Sequence, residues 1–229
     1  MSTEPGTRLR ADARRNREQI LAAAKAMFAE HGPEVPMEEI ARRAEVGVGT
    51  LYRRFPDREE LIRAVAQDSL ATVLAAVREA VAEEGQAWGA LVRILSYSRE
   101  LKLTVNMALF SPYAGPIIRE DPKTRQGRDE FTSLLERIVQ AAQDEGSLRP
   151  DVGAGDVTLL LGLLLSGAQP PTGEAANMAP ERALGVILDG LRAPQRSTLE
   201  GRPLTSADIH GDGPGDAGCG SAPRLGAGQ

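Results

Sequence analysis

The spacing of apolar residues between positions 16 and 56 leaves this chain few choices of fold. Ile20, Leu21, Ala24, Met27 and Phe28 recur at i, i+1, i+4, i+7 and i+8, one stripe of an amphipathic helix, and Gly32-Pro33 ends it. Pro36 suits the first position of a second helix, which carries Met37, Ile40, Ala41 and Ala44. Val46-Gly47-Val48-Gly49 then supplies a turn, and Val48, Leu51, Tyr52 and Phe55 mark a third short helix that Pro56 stops. Three helices, the last two joined by a tight glycine-containing turn, form a helix-turn-helix arrangement. Leu51 and Phe55 are expected in the core of this small unit.

The same periodicity continues downstream. Asp57 with Glu60 reads as a capping box that opens a long helix, and Leu61, Ile62, Val65, Leu70, Val73, Leu74 and Val77 carry it to about Glu84, long enough to join two domains. Further helical stripes cover Ala87 to about Leu103, Glu130 to Glu145, Gly155 to Gly167 and Pro180 to Leu191. Residues 111–116 and 169–173 have the Pro, Gly and Ser content of loops. Residues 193–229 hold 8 Gly and 4 Pro without apolar periodicity, so a disordered tail is expected. With 3% aromatic residues and abundant Ala and Leu, extended sheet is disfavoured and the fold class is all-α. The expected organisation is a basic arm (1–15), a helix-turn-helix domain (16–60), a helical domain (61–192) and the tail (193–229).

Several kinds of chemistry are excluded by what is missing. One cysteine, Cys219, and two histidines, His31 and His210, provide neither a disulfide framework nor a zinc ligand set, and no metal or cofactor is expected. His31 is read as a helix C-terminal residue and Cys219 as inert. An enzyme built on the C-terminal helices would need paired carboxylates or a Glu-x-x-His pattern on facing helices, and neither occurs. The longest apolar run, Val157 to Ala168, falls short of the ~18 residues that span a bilayer, so no membrane partner and a cytoplasmic, reducing location are expected. The net charge of −5 is unevenly placed: residues 1–60 hold 11 basic and 11 acidic residues, the rest 16 and 21. Arg8, Arg10, Arg14, Arg15 and Arg17 concentrate five arginines at the start. They form either a solvated arm or one that adds phosphate or minor-groove contacts.

Residues 16–66 are similar to the DNA-binding domain of TetR family transcriptional repressors. The resemblance is carried by Ile20-Leu21-Ala22-Ala23-Ala24, Phe28-Ala29-Glu30-His31-Gly32, Glu39-Ile40-Ala41, the run Ala44-Glu45-Val46-Gly47-Val48-Gly49-Thr50-Leu51-Tyr52-Arg53-Arg54-Phe55, and Arg58-Glu59-Glu60-Leu61. It implies a homodimer with an N-terminal DNA-reading unit and a C-terminal helical domain that binds a small effector. A helix fits the major groove with its N-terminal half toward the bases, which places Val48, Gly49 and Thr50 at the DNA. Thr50 and Tyr52 offer hydroxyls, while Arg53 and Arg54 suit either guanine O6/N7 or phosphate, and spacing does not choose between them. Arg58 resembles the family's basic phosphate anchor. Three positions depart from the pattern: Glu45 stands where the family commonly has Gly, Arg54 where it often has His, and Pro36 in place of a frequent Thr. A helical interaction protein that has lost DNA binding through such changes is the alternative.

The segment Val157 to Gly167 is apolar nearly all round and requires cover on more than one face. Pairing the 155–167 and 180–191 helices with their dimer mates would supply it as a four-helix bundle, as the resemblance also implies; the alternative is the central helix of a monomeric core. Trp88, Tyr97, Asn106, Met107, Phe110 and Tyr113 fall in helices that the family uses to wall its effector cavity. They suggest a mostly apolar pocket with sparse polar groups.

Overall fold

The structure, a computed structural model of the 229-residue chain, describes residues 5–96, 103, 106–165, 174–194, 197–206 and 208. Among these, regular structure is helical apart from one isolated antiparallel bridge between Leu148 and Arg192. The helices are α1 (Pro5–His31), α2 (Met37–Arg43), α3 (Val48–Arg54), α4 (Arg58–Glu83), α5 (Ala87–Ser96), α6 (Ala114–Glu120), α7 (Pro122–Asp144), α8 (Ala154–Leu165) and α9 (Glu174–Leu191), with a π-helical turn at Asn106–Phe110 before α6.

Local chemistry accounts for most of these boundaries. Gly32, at φ 83, lets α1 end with its N–H on the Phe28 carbonyl. Pro36 is the N-cap of α2 rather than its first helical residue: its ψ of 138 is extended, and its carbonyl accepts from Glu39 and Ile40. The Asp57 carboxylate accepts from the Glu60 N–H at 2.7 Å and opens α4.

The basic arm, mobile or helical by its sequence, is helical from Pro5 and continuous with α1. Four expectations change. Residues 111–116 are a loop only to Tyr113, since Pro116 falls in the first turn of α6, where its missing N–H leaves no bond unmade. The α7 helix starts at Pro122, eight residues before Glu130. Asp121 caps it by accepting from the Thr124 N–H and hydroxyl, a signal carried by polar residues that an apolar stripe does not register. Helix α9 begins at Glu174 and runs through Pro180, without the bond to the Ala176 carbonyl that another residue would make there. Residues 197–206, expected to be disordered, are bonded to the helical body, as detailed below.

Two cores share one helix. The first unites Ile20 to Phe28 of α1, Met37 to Ala41 of α2, Leu51, Phe55 and the first half of α4 (Leu61 to Ala66), together with Leu103, Met107, Ala114 and Ile118. The second holds the other half of α4 (Val73, Leu74, Val77, Ala80), α5, the buried face of α7, and Leu148, Val152, Val157, Leu161 and Leu191. Helix α4 therefore contributes to both cores, and the helix-turn-helix core is continuous with α6. Gly127 brings α7 against α4, because a Cβ there would lie 2.6 Å from a Leu70 methyl.

Candidate nucleic-acid interface

Helix α3 divides its seven residues between core and solvent. Leu51 inside the helix and Phe55 just past it are buried, while Val48 (41% exposed), Gly49, Tyr52 (40%), Arg53 and Arg54 face outward and Thr50 is half-buried. The apolar pair at i and i+4 fixes the rotation of the helix, and that rotation turns the polar residues to the surface. Gly47 opens α3 without a side-chain cap, so its carbonyl receives the Thr50 and Leu51 N–H groups. Among the described residues no side chain caps the first N–H groups of α3, the end of a helix that favours an anionic group.

Contacts that link α3 to distant residues define the rest of the surface. The Tyr52 hydroxyl donates to Glu38 Oε1 of α2 at 3.1 Å, and this bond holds the phenol above its ordinary pKa. Arg53 reaches back to the Thr50 hydroxyl at 3.4 Å. Arg17 of α1 lies over the Phe55 ring, 5.8 Å from its centre, so the basic end of α1 adjoins the C-terminal end of α3. Arg14 and Arg15, just before it, are exposed, and Arg14 makes a loose 3.6 Å pair with Glu18. Glu38 and the placement of Arg17 had no local signal in the sequence.

Arg58, expected as a phosphate contact, is engaged within the protein. Its guanidinium donates to the carbonyls of Pro33, at 3.1 Å, and of Val35, tying the start of α4 to the α1–α2 loop. Half-buried and committed to main-chain acceptors, it joins parts of the small domain instead of standing free for phosphate. Arg43, paired with Glu30 through both nitrogens at 3.0 and 3.1 Å, ties α2 to α1 in a similar way.

The expected effector residues do not gather at one point. Trp88 packs in the second core beneath the Arg192 guanidinium, 5.0 Å from its ring centre, whereas Met107 lies in the first core. Tyr113 is 38% exposed. Tyr97 and the Phe110 side chain fall outside the described residues. Trp88 Nε1 and Asn106 Oδ1 are both buried without a hydrogen-bond partner among the described residues. An open groove of about 370 Å³ lies where α4 ends and α5 starts against α7, lined by Val81, Ala90, Leu134, Arg137 and Ile138 among others.

On the far side, α8 buries Val157 and Leu161 inward and exposes Leu159 and Leu163 (62%), and α9 exposes Val186 (71%). Among the described residues no group of three or more His, Cys, Asp or Glu is placed to hold a metal, and no helix is long and apolar enough to cross a membrane.

Residues 20–65 match the family described as bacterial regulatory proteins, tetR family, and residues 89–193 match the C-terminal domain of SbtR-like transcriptional regulators. The HTH-type transcriptional repressor LfrR of Mycolicibacterium smegmatis is 30% identical over 141 residues, which cover 62% of this chain and 70% of that protein. A TetR transcription regulatory protein from Mycobacterium vanbaalenii superimposes with a TM-score of 0.58 at 33% identity, covering 81% of this chain and 99% of that one. The structure of LfrR from Mycobacterium smegmatis in complex with proflavine superimposes with a TM-score of 0.57 at 26% identity, covering 81% and 98%.

Proposed function

Because the chain belongs to the TetR family of DNA-binding transcriptional regulators, which are not enzymes, we propose that it is a homodimeric repressor released from a pseudo-palindromic operator by a small, largely apolar effector. The outward presentation of Val48, Gly49, Tyr52, Arg53 and Arg54, with half-buried Thr50 among them, on one anchored helix carries the DNA-reading part. The exposed Leu159, Leu163 and Val186 are apolar surface of the kind that a second copy covers. Two such heads related by a two-fold axis select half-sites about 34–36 Å apart, or a multiple of that.

Release requires that the effector bind better to a shape in which the heads are wrongly spaced. Helix α4 is the natural lever, since it is embedded in both cores, and Arg58 makes the small domain follow its first turn as a unit. The effector contacts are a subset of Trp88, Tyr97, Asn106, Met107, Phe110 and Tyr113, because Trp88 and Met107 pack in different cores and one ligand does not touch them all. Trp88 Nε1 or Asn106 Oδ1, each buried without a partner among the described residues, is the kind of polar atom that a ligand would satisfy. LfrR, solved with proflavine, is a relative that takes up a small molecule.

Footprinting of the full chain on the DNA upstream of its own coding region tests the proposal. A symmetric two-half-site footprint is expected, and a single asymmetric one overturns it. For any compound that releases DNA, linkage demands that saturating operator weaken its binding by the same factor, about 5- to 150-fold for typical couplings. Trp88 fluorescence with and without operator reads that factor; an unchanged ligand affinity excludes this mechanism of release.

A further inference from the structure

Beyond residue 193, where the second family match stops, the chain turns back onto the helical body and enters a seat shaped for it. The Ser197 carbonyl accepts from Arg149 Nη2 at 2.8 Å, and the Leu199 N–H donates to Asp151 Oδ2 at 2.8 Å. The Leu204 N–H donates to Asp156 Oδ2 at 2.9 Å, and its carbonyl accepts from the Gly155 N–H at 3.0 Å. Ser206 is buried and its hydroxyl donates to Glu136 Oε1 of α7 at 2.8 Å. Asp208, accepting from Thr205 and Arg202, closes the far end in a turn. The seat has two glycines under the segment: a Cβ on Gly155 would lie 2.6 Å from the Leu204 carbonyl carbon, and one on Gly153 would overlap the Leu204 oxygen. Only glycine at these positions permits the main chains to meet.

The same residues govern α8 and α9. Asp156, in the first turn of α8, also accepts from the Gly153 N–H at 2.8 Å, so one carboxylate both caps the helix and holds the extension. Buried Arg149 pairs with Asp151 at 2.6 and 2.9 Å and donates to the Gly190 carbonyl at the end of α9 at 3.1 Å. A single guanidinium therefore joins the α7–α8 loop, the last turn of α9 and the extension. Helices α8 and α9 are those whose exposed apolar residues form the dimer face proposed above.

We propose that residues 197–206 are an intramolecular latch that fixes α8 relative to α9 and so preorganises the face through which two copies associate. The inference rests on the homodimer reading. Association is tighter when its surface is ordered beforehand, because that ordering is completed on folding and not at the encounter. Among the described residues the bonds that make the latch all lie at or before Asp208.

Sedimentation equilibrium on a dilution series, with amide exchange at Leu199 and Leu204, tests this on four chains: the full chain, one ending at Asp208, one ending at Pro194, and Gly155→Ala in the full chain. The chain ending at Asp208 should match the full chain. The chain ending at Pro194 and Gly155→Ala should both weaken the dimer by about tenfold or more. In Gly155→Ala, the Leu199 and Leu204 amides should also lose protection. Alanine normally favours a helix over glycine, so weakening by Gly155→Ala has the opposite sign to its local effect. If the chain ending at Pro194 does not fold, Gly155→Ala decides alone. A dimer constant unchanged by Gly155→Ala overturns the latch and leaves the homodimer standing; a full chain that is monomeric throughout overturns both.

Discussion

Glu45→Gly should stabilise the small domain, and the expected gain follows from one backbone angle. Helix α2 ends in a Schellman motif: the Glu45 N–H bonds the Arg42 carbonyl at 3.2 Å, the Val46 N–H bonds the Ala41 carbonyl at 3.0 Å, and Glu45 takes φ 55. Helix α7 ends in the same way, with Gly146 at φ 69 and its bonds to Gln143 at 2.9 Å and, from Ser147, to Ala142 at 3.0 Å. At Glu45 the left-handed position is filled by a residue with a Cβ, which costs about 1–2 kcal/mol. Glycine removes that strain and gives back about 0.5–1 kcal/mol through its greater freedom in the unfolded chain. The net is a gain of about 0.5–1 kcal/mol, or about 1–4 °C in melting temperature for a chain of this size. Glu45→Ala keeps the Cβ and should gain little. Both variants remove the exposed carboxylate three residues ahead of α3, so both should raise operator affinity alike while only glycine raises stability. Thermal unfolding and operator titration of the pair separate strain from charge. Equal melting temperatures for the two variants would show that the angle carries no strain.

Arg14→Ala with Arg17→Ala should flatten the dependence of operator affinity on salt, measured as the slope of log K against log salt, by about 0.9 for each phosphate that these two arginines neutralise; an unchanged slope makes the basic end of α1 a solvated face. Arg58→Ala should lower the melting temperature of the DNA-free protein, with about 1–3 kcal/mol of stability removed as two carbonyls forfeit a charged donor. Full stability with weakened operator binding would instead return Arg58 to a phosphate-binding role. The Asp151 carboxyl is held well below the usual carboxylate range by its hydrogen bonds from Arg149 and then from the Leu199 N–H. Its contribution is therefore complete above the unfolded value of about 3.9 and is lost as pH falls toward the depressed folded value. Asp151→Asn should accordingly flatten the acid limb of the unfolding profile, and an unaltered limb would exclude the pair as a source of acid sensitivity.

The parts of this protein legible in its sequence are those in which a residue's role depends on its near neighbours. Apolar spacing located α1 to α4, the Asp57 and Glu60 pair located the start of the long helix, and the alternation of Leu51 and Phe55 with Tyr52, Arg53 and Arg54 separated core from surface on α3. Helical periodicity reports which way a side chain faces, and little more. What a polar group meets depends on how elements cross. Only the folded chain brings Tyr52 to Glu38, Arg17 to Phe55 and Arg58 to the carbonyls of Pro33 and Val35, and it separates Trp88 from Met107 by packing them in different cores. Residues 197–206 make the distinction plainest. Their composition lacks the apolar groups that usually offset ordering entropy, yet they are held by acceptors and donors that belong to Arg149, Asp151, Gly155 and Asp156. Order in such a segment is a property of the surface it lies on, and no reading of the segment alone contains it.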